Sequence, residues 1–204
     1  MRKLLCVGAL AAGMAPIGAL YAIEPGPYLG FGIGATSYDL GVSDYDDGNV
    51  TRGSVDTSGT GYKLYGGYRF TPNIGLEAYY ANLGNTTFNG VANGTTKKHW
   101  NFGDISSKSS VDGFGAAMVG TFPVNRDFNV HGKFGLYSWD FDSRETDSGG
   151  SFRDSDSGTG LMYGLGVSYQ FNFQTALQLE WERYTDVPSF DVNFFSLGLS
   201  FLLY

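Results

Sequence analysis

Past its first two dozen residues, the 204-residue chain has no apolar run approaching the roughly 20 residues a helix needs to cross a bilayer, which excludes a bundle of spanning helices. Cysteine is nearly missing. Cys6 is the single example, and it lies in a segment expected to be removed, so the mature chain has neither a disulfide nor a thiolate metal site. Basic residues are also scarce: 13 Lys and Arg stand against 20 Asp and Glu, for a net charge of −7. Arg2 and Lys3 belong to the same removable segment, so the mature chain is more acidic still. Nucleic-acid binding, which requires a basic footprint, is excluded. Histidine is limited to His99 and His131. No local motif brings Ser, His and an acid together as a hydrolytic triad requires. No catalytic residue, cofactor or metal site is assigned.

Glycine (31 residues) and aromatic residues (16%) are abundant. Glycine costs about 1 kcal/mol per helix position relative to alanine, so this combination suits close-packed strands. The mean hydropathy of −0.14 carries no membrane signature by itself. The N-terminus reads differently. Met1-Arg2-Lys3 is a short basic start, Leu4 to Ala22 is apolar and small, and Ile23-Glu24-Pro25 follows. This is the layout of a secretory signal peptide. Cleavage is expected after Ala22, with Leu20 three positions before the cut, leaving residues 23–204 as one domain. Cys6 begins the apolar stretch rather than following it, which argues against a lipid-accepting cysteine. Gly8, Gly13, Pro16 and Gly18 argue against a permanent anchor.

After Pro27, short segments of period-2 alternation are separated by turn signals. Strands are expected near Tyr28–Asp39, Tyr62–Thr71, Ile74–Leu83, Ser110–Phe122, Phe128–Trp139, Thr159–Phe171, Thr175–Tyr184 and Phe194–Tyr204. Each is about as long as a tilted strand that crosses a bilayer, roughly 9–11 residues. The connections around Pro72-Asn73, Pro123–Asp127 and Asn172–Gln174 are tight. Leu40–Gly61, Gly84–Ser109 and Asp140–Gly158 read as long polar loops, and Thr185–Ser189 as a shorter one. Tight and long connections alternate, as the short periplasmic turns and longer extracellular loops of outer-membrane barrels do. The expected fold is an all-β, eight-stranded antiparallel up-and-down transmembrane barrel with both termini periplasmic.

The two phases of each strand identify the surroundings. In Leu161–Phe171 one phase is Leu161, Tyr163, Leu165, Val167, Tyr169, Phe171, and the other is Met162, Gly164, Gly166, Ser168, Gln170. The last strand sets Phe195, Leu197, Leu199, Phe201 and Leu203 against Ser196, Gly198 and Ser200. The large apolar phase suits an outer face covered by lipid, and the small polar phase a narrow interior. A soluble barrel needs the reverse, because an exterior this apolar aggregates in water. Aromatic girdles are expected at Tyr68, Phe70, Phe122, Phe128, Tyr169 and Phe171 near the tight turns, and at Tyr80, Trp181 and Tyr184 towards the other rim.

On this phasing Lys63, Arg69, Glu77, Lys133, Glu180 and Glu182 point inwards. Buried charges are tolerated when paired. Arg69 and Glu77 flank one tight turn and are placed to meet across the hairpin. Lys133 and Glu180 are placed to pair through the lumen. His131 is read as a hydrogen-bonded lumen histidine. The charges are expected to form a polar plug; a gate that passes ions is the alternative. Asp44, Asp46, Asp47, Asp140, Asp142, Glu145, Asp147, Asp154 and Asp156 make two loops acidic. They lack the ordered ligand spacing of a calcium loop, and solvated loops are expected.

Three segments, Gly61–Tyr68, Ile74–Gly84 and Leu177–Trp181, resemble the transmembrane domain of the outer membrane protein A family. The ending Ser196-Leu197-Gly198-Leu199-Ser200-Phe201-Leu202-Leu203 resembles the signal read by the barrel-assembly machinery, with Ser196, Gly198, Phe201 and Leu203 at its marked positions and Tyr204 one residue beyond. The resemblance implies an eight-stranded barrel in contact with outer-membrane lipid and lipopolysaccharide. It also implies structural or surface-interaction roles, with a small ion pore as the alternative and a lipid-modifying enzyme as a more remote one. That family continues into a peptidoglycan-binding domain. This chain ends at Tyr204, and no cell-wall tether is expected of it. The family's lumen gate has two acids and two bases. Glu77 matches one acid, and Val119, Ser168 and Gln178 hold the other three places.

Overall fold

The computed structural model describes residues 24–40, 50–93, 102–187 and 190–203. The expected signal peptide with Cys6, and Asp44, Asp46, Asp47, His99 and Tyr204, lie outside the described residues. Nine strands follow one another: β1 Gly26–Tyr38, β2 Val50–Asp56, β3 Ser58–Thr71, β4 Ile74–Ala92, β5 Gly103–Pro123, β6 Phe128–Asp147, β7 Gly150–Gln170, β8 Thr175–Tyr184 and β9 Val192–Leu202. Sequential neighbours pair antiparallel from β3 to β9. β1 joins β3 on one side and β9 on the other, from Tyr28↔Leu202 to Tyr38↔Val192, which closes the ring. β2 adds no separate wall. It pairs with the far part of β4, Asp56↔Thr87 to Val50↔Ala92, and continues the line of β3 past Thr57. The expected eight-stranded up-and-down barrel is therefore the fold, with one wall in two pieces.

Two of the expected long loops are largely strand. β4 and β5 stay paired out to Ala92↔Gly103. β6 and β7 stay paired to Asp147↔Gly150, leaving Ser148-Gly149 as a tight turn. β2 likewise lies within the stretch read as the first loop. The β6–β7 extension is mostly polar, and the β2, β4 and β5 extension carries one short apolar cluster, Phe88, Ala92 and Ile105 with Val50 and Val55 against it, so neither has a sustained apolar period. Ladder hydrogen bonds are made by the backbone and do not require one. Two of the three expected tight turns share one device. The Asn125 side-chain oxygen accepts from the backbone N–H of Asp127 and Phe128, both at 2.9 Å. That of Asn172 accepts from Gln174 and Thr175, again at 2.9 Å. Such Asx turns fix a short reversal without help from packing.

The outer face bears the large apolar side chains. Leu165 is 62% exposed and Phe114 68%, and Leu29, Ile33, Leu64, Met118, Phe134, Leu136 and Leu197 are likewise exposed. Near the short turns the outward rings touch in pairs: Tyr68 with Phe70 at 5.3 Å and Phe128 with Tyr169 at 4.9 Å between centroids. Inside, the abundance of glycine acquires a reason. Large inward side chains face glycines on the neighbouring strand: Tyr65↔Gly30, Tyr28↔Gly67, Tyr79↔Gly115, Trp139↔Gly158, His131↔Gly166. A Cβ on Gly115 would sit 2.3 Å from the Tyr79 ring and 2.5 Å from the Leu136 carbonyl oxygen. Gly115→Ala is therefore expected to cost about 1–3 kcal/mol through overpacking. Gly120→Ala, with nothing within 4 Å of its new methyl group, is expected to be neutral. Urea unfolding of both variants in lipid vesicles checks this; equal midpoints would refute the steric account.

Candidate functional site

The lumen is filled in layers. At mid-height β3 supplies Lys63, β4 Glu77, β6 His131 and Lys133, and β8 Glu180 and Glu182. All six are buried. Lys133 Nζ lies 3.0 Å from Glu77 Oε1 and 2.7 Å from Glu180 Oε1. Lys63 Nζ lies 3.0 Å from Glu180 Oε2 and also donates to Glu182. His131 Nε2 is 2.8 Å from Glu180 Oε1. Two lysines thus meet three carboxylates, and hydroxyl groups satisfy the remaining lone pairs. Tyr184 donates to Glu182 Oε2 at 2.9 Å, and Tyr28 donates to Glu77 at 3.4 Å. Lys133 Nζ also stands 4.8 Å from the centre of the Tyr65 ring, within cation–π range.

Arg69 stands apart from this cluster and makes no ion pair with Glu77. The register sets Arg69 opposite Gly75 and Glu77 opposite Gly67. Tyr28 fills the space between them: its hydroxyl reaches Glu77 while the Arg69 guanidinium lies 5.4 Å from its ring centre. Glu77 is taken by Lys133 instead. The places expected for gate charges hold Val119, Ser168 and Gln178, but Val119 sits directly opposite Lys133, and Gln178 is two residues before Glu180 on β8. Charged residues thus adjoin two of these three places, while Ser168 is paired with Asn129 and Gln178.

Towards the hairpin end the lumen changes character. Tyr137 and Tyr184 are buried with ring centres 4.7 Å apart, and Tyr79 stacks on Tyr137 at 6.2 Å. Their hydroxyls are used locally: Tyr137 donates to the Ala81 carbonyl at 3.1 Å and Tyr79 to that of Leu136 at 3.2 Å. Beyond them Leu83, Val111, Trp139, Met162, Val192 and Phe194 pack as one apolar cluster. The expectation of a small, polar interior holds for the glycine and serine positions but fails here, and Tyr184 belongs to this cap rather than to the outer girdle. The signal was present in the phasing, since Tyr137, Trp139 and Met162 share the inward parity. Of the assembly-signal positions, Ser196 and Gly198 face inwards, and Phe201 and Leu203 face outwards. Among the described residues, the acidic side chains of β6 and β7 gather into no group that holds a metal ion.

A family model described as an outer membrane protein beta-barrel domain matches residues 6–201. The chain belongs to this family. Membership assigns it to the bacterial outer membrane, where the exposed apolar belt meets lipid and lipopolysaccharide. Outer membrane protein A of Shigella flexneri is 24% identical over 176 residues, 81% of this chain and 47% of that protein. The Salmonella typhi protein of the same name is 26% identical over 147 residues, covering 70% and 38%. The chain thus spans less than half the length of these relatives. Among solved barrels, Ail, the attachment invasion locus protein of Yersinia pestis, superposes with a TM-score of 0.54 at 17% identity, covering 88% of this chain and 100% of Ail. OprG from Pseudomonas aeruginosa gives 0.53 at 14% identity, covering 90% and 98%. These structures are similar in fold.

Proposed function

We propose that this chain is a non-catalytic, non-conducting outer-membrane barrel with a structural or surface-interaction role. The observation that carries the reading is the two-layer filling of the lumen: paired, buried charges beneath a buried aromatic and apolar cap. A cation crossing it would have to shed its water among Trp139, Met162 and Phe194, which offer it no oxygen ligand. The charges then act as a plug that ties β3, β4, β6 and β8 together across the lumen. Residues 1–22 serve as a removed export signal. The short turns and both termini face the periplasm, and the raised hairpins face outwards. Ser196, Gly198, Phe201 and Leu203 are read by the assembly machinery.

Purified, folded protein in a planar bilayer is expected to be silent, and Glu77→Gln and Lys133→Met variants that fold are expected to stay silent. Discrete openings that either variant alters would show a pore gated by these charges and overturn the reading.

A further inference from the structure

One outward row of the raised wall departs from the acidic character of the chain. Lys108 on β5 is directly opposite Arg144 on β6, and Arg144 is directly opposite Arg153 on β7. Adjacent strands lie about 4.8 Å apart, so the three cations span about 10 Å. All three are exposed. Like charges directly opposite one another destabilise a sheet, and no ion pair relieves these three among the described residues. Asp142, on the same face, is diagonal to both Lys108 and Arg153 and leaves the group two positive charges in excess. The row borders a pocket of about 390 Å³ that Asp142, Ser110 and Asn85 also line. On β5 the row is six residues beyond Phe114, the outermost large apolar side chain of that strand's belt. At about 3.3 Å per residue and a tilt near 40°, this is about 15 Å above the belt.

We infer that Lys108, Arg144 and Arg153 form a lateral site for the phosphate groups of a phosphorylated saccharide, the headgroup of an outer-leaflet glycolipid. Arginine forks suit phosphate oxygens in bidentate fashion, and lysine adds a point charge. The position selects the source of the phosphate. The row faces sideways from the wall, above the lipid belt, outside the lumen and three residue pairs below the Ser148-Gly149 turn, so what meets it is the headgroup layer of the surrounding leaflet. The inference rests on the proposed orientation, with the hairpin end outside the cell.

The test compares wild type with the Lys108→Gln, Arg144→Gln, Arg153→Gln triple variant in nanodiscs, titrated with lipopolysaccharide and with the same lipopolysaccharide after removal of its phosphates. Wild type is expected to bind the phosphorylated form at least tenfold more tightly than the variant does, and to lose that advantage on dephosphorylation. In detergent free of glycolipid the variant is expected to be at least as heat-stable as wild type, because it removes an opposed row of like charges; a row with a merely structural role predicts the opposite. Equal binding by the two proteins, or indifference to phosphate, overturns the site. So does a triple variant that loses binding to soluble dextran sulfate but not to lipopolysaccharide, which would assign the row to a sulfated polymer. A tag inserted between Ser148 and Gly149 is expected to be accessible on intact cells. An inaccessible tag would overturn the orientation and the glycolipid with it, whereas an accessible tag with equal binding would overturn the site alone.

Discussion

Lys63→Met is expected to lower the stability of the folded barrel by about 3–5 kcal/mol, the usual consequence of removing one partner from a buried charge pair. Lys63 is fully buried and holds both Glu180 and Glu182. Glu180 retains Lys133 and His131, but Glu182 would keep Tyr184 as its near partner. A carboxylate left in that layer is buried from solvent, with the aromatic cap on one side and the remaining ion pairs on the other. The double variant Lys63→Met, Glu182→Leu is expected to recover most of the loss, because an apolar pair of similar volume replaces a buried pair at little cost. Arg69→Met is expected to be mild, as Arg69 is only half-buried and rests on the Tyr28 ring. Urea unfolding in lipid vesicles, followed by the gel shift between unheated and boiled samples, reads all three. A Lys63→Met midpoint within about 1 kcal/mol of wild type would show that the charge layer does not hold the barrel together.

The second large effect is on the outer face. Leu165 sits at the centre of the outward apolar series of β7, flanked by Tyr163 and Val167, and is well exposed. In water an exposed leucine tolerates arginine. At the midplane of a bilayer the same change costs about 2–4 kcal/mol. Leu165→Arg is expected to lose that much in vesicles, while Ser157→Arg, eight residues along the same strand and on the same face, is expected to lose less than 1 kcal/mol because it lies towards the raised, wetted wall. Equal effects at the two positions would mean that the belt does not sit in hydrocarbon.

The membrane-embedded half of the molecule was legible from sequence because its environment is two-sided. Lipid outside and a narrow interior impose opposite demands on alternate residues, so the Leu161–Phe171 and Phe195–Leu203 patterns state both strand and facing. The raised half was not legible. From Asp140 to Gly158 both faces are polar apart from Phe141 and Phe152, and a solvated ladder leaves nearly the same composition as a solvated loop. The pairing of Lys133 with Glu180 followed from parity and height along the strands. The failure of Arg69 to meet Glu77 did not, because it depends on a Tyr28 ring brought from β1, a strand distant in sequence.

By itself the sequence determined the strand count of the membrane wall, its facing, its tight turns and the inward parity of each charge, since these follow from side-chain alternation and local turn chemistry. Which charges share a partner, which glycine makes room for which ring, and the closing of the lumen by Tyr137, Tyr184 and Trp139 were decided only by the closed barrel. Closure brings β1 against β9, and β3 and β4 across from β6 and β8. The row Lys108–Arg144–Arg153 is of the same kind: three cations separated by 36 and 9 positions in the chain become neighbours only through the register of β5, β6 and β7.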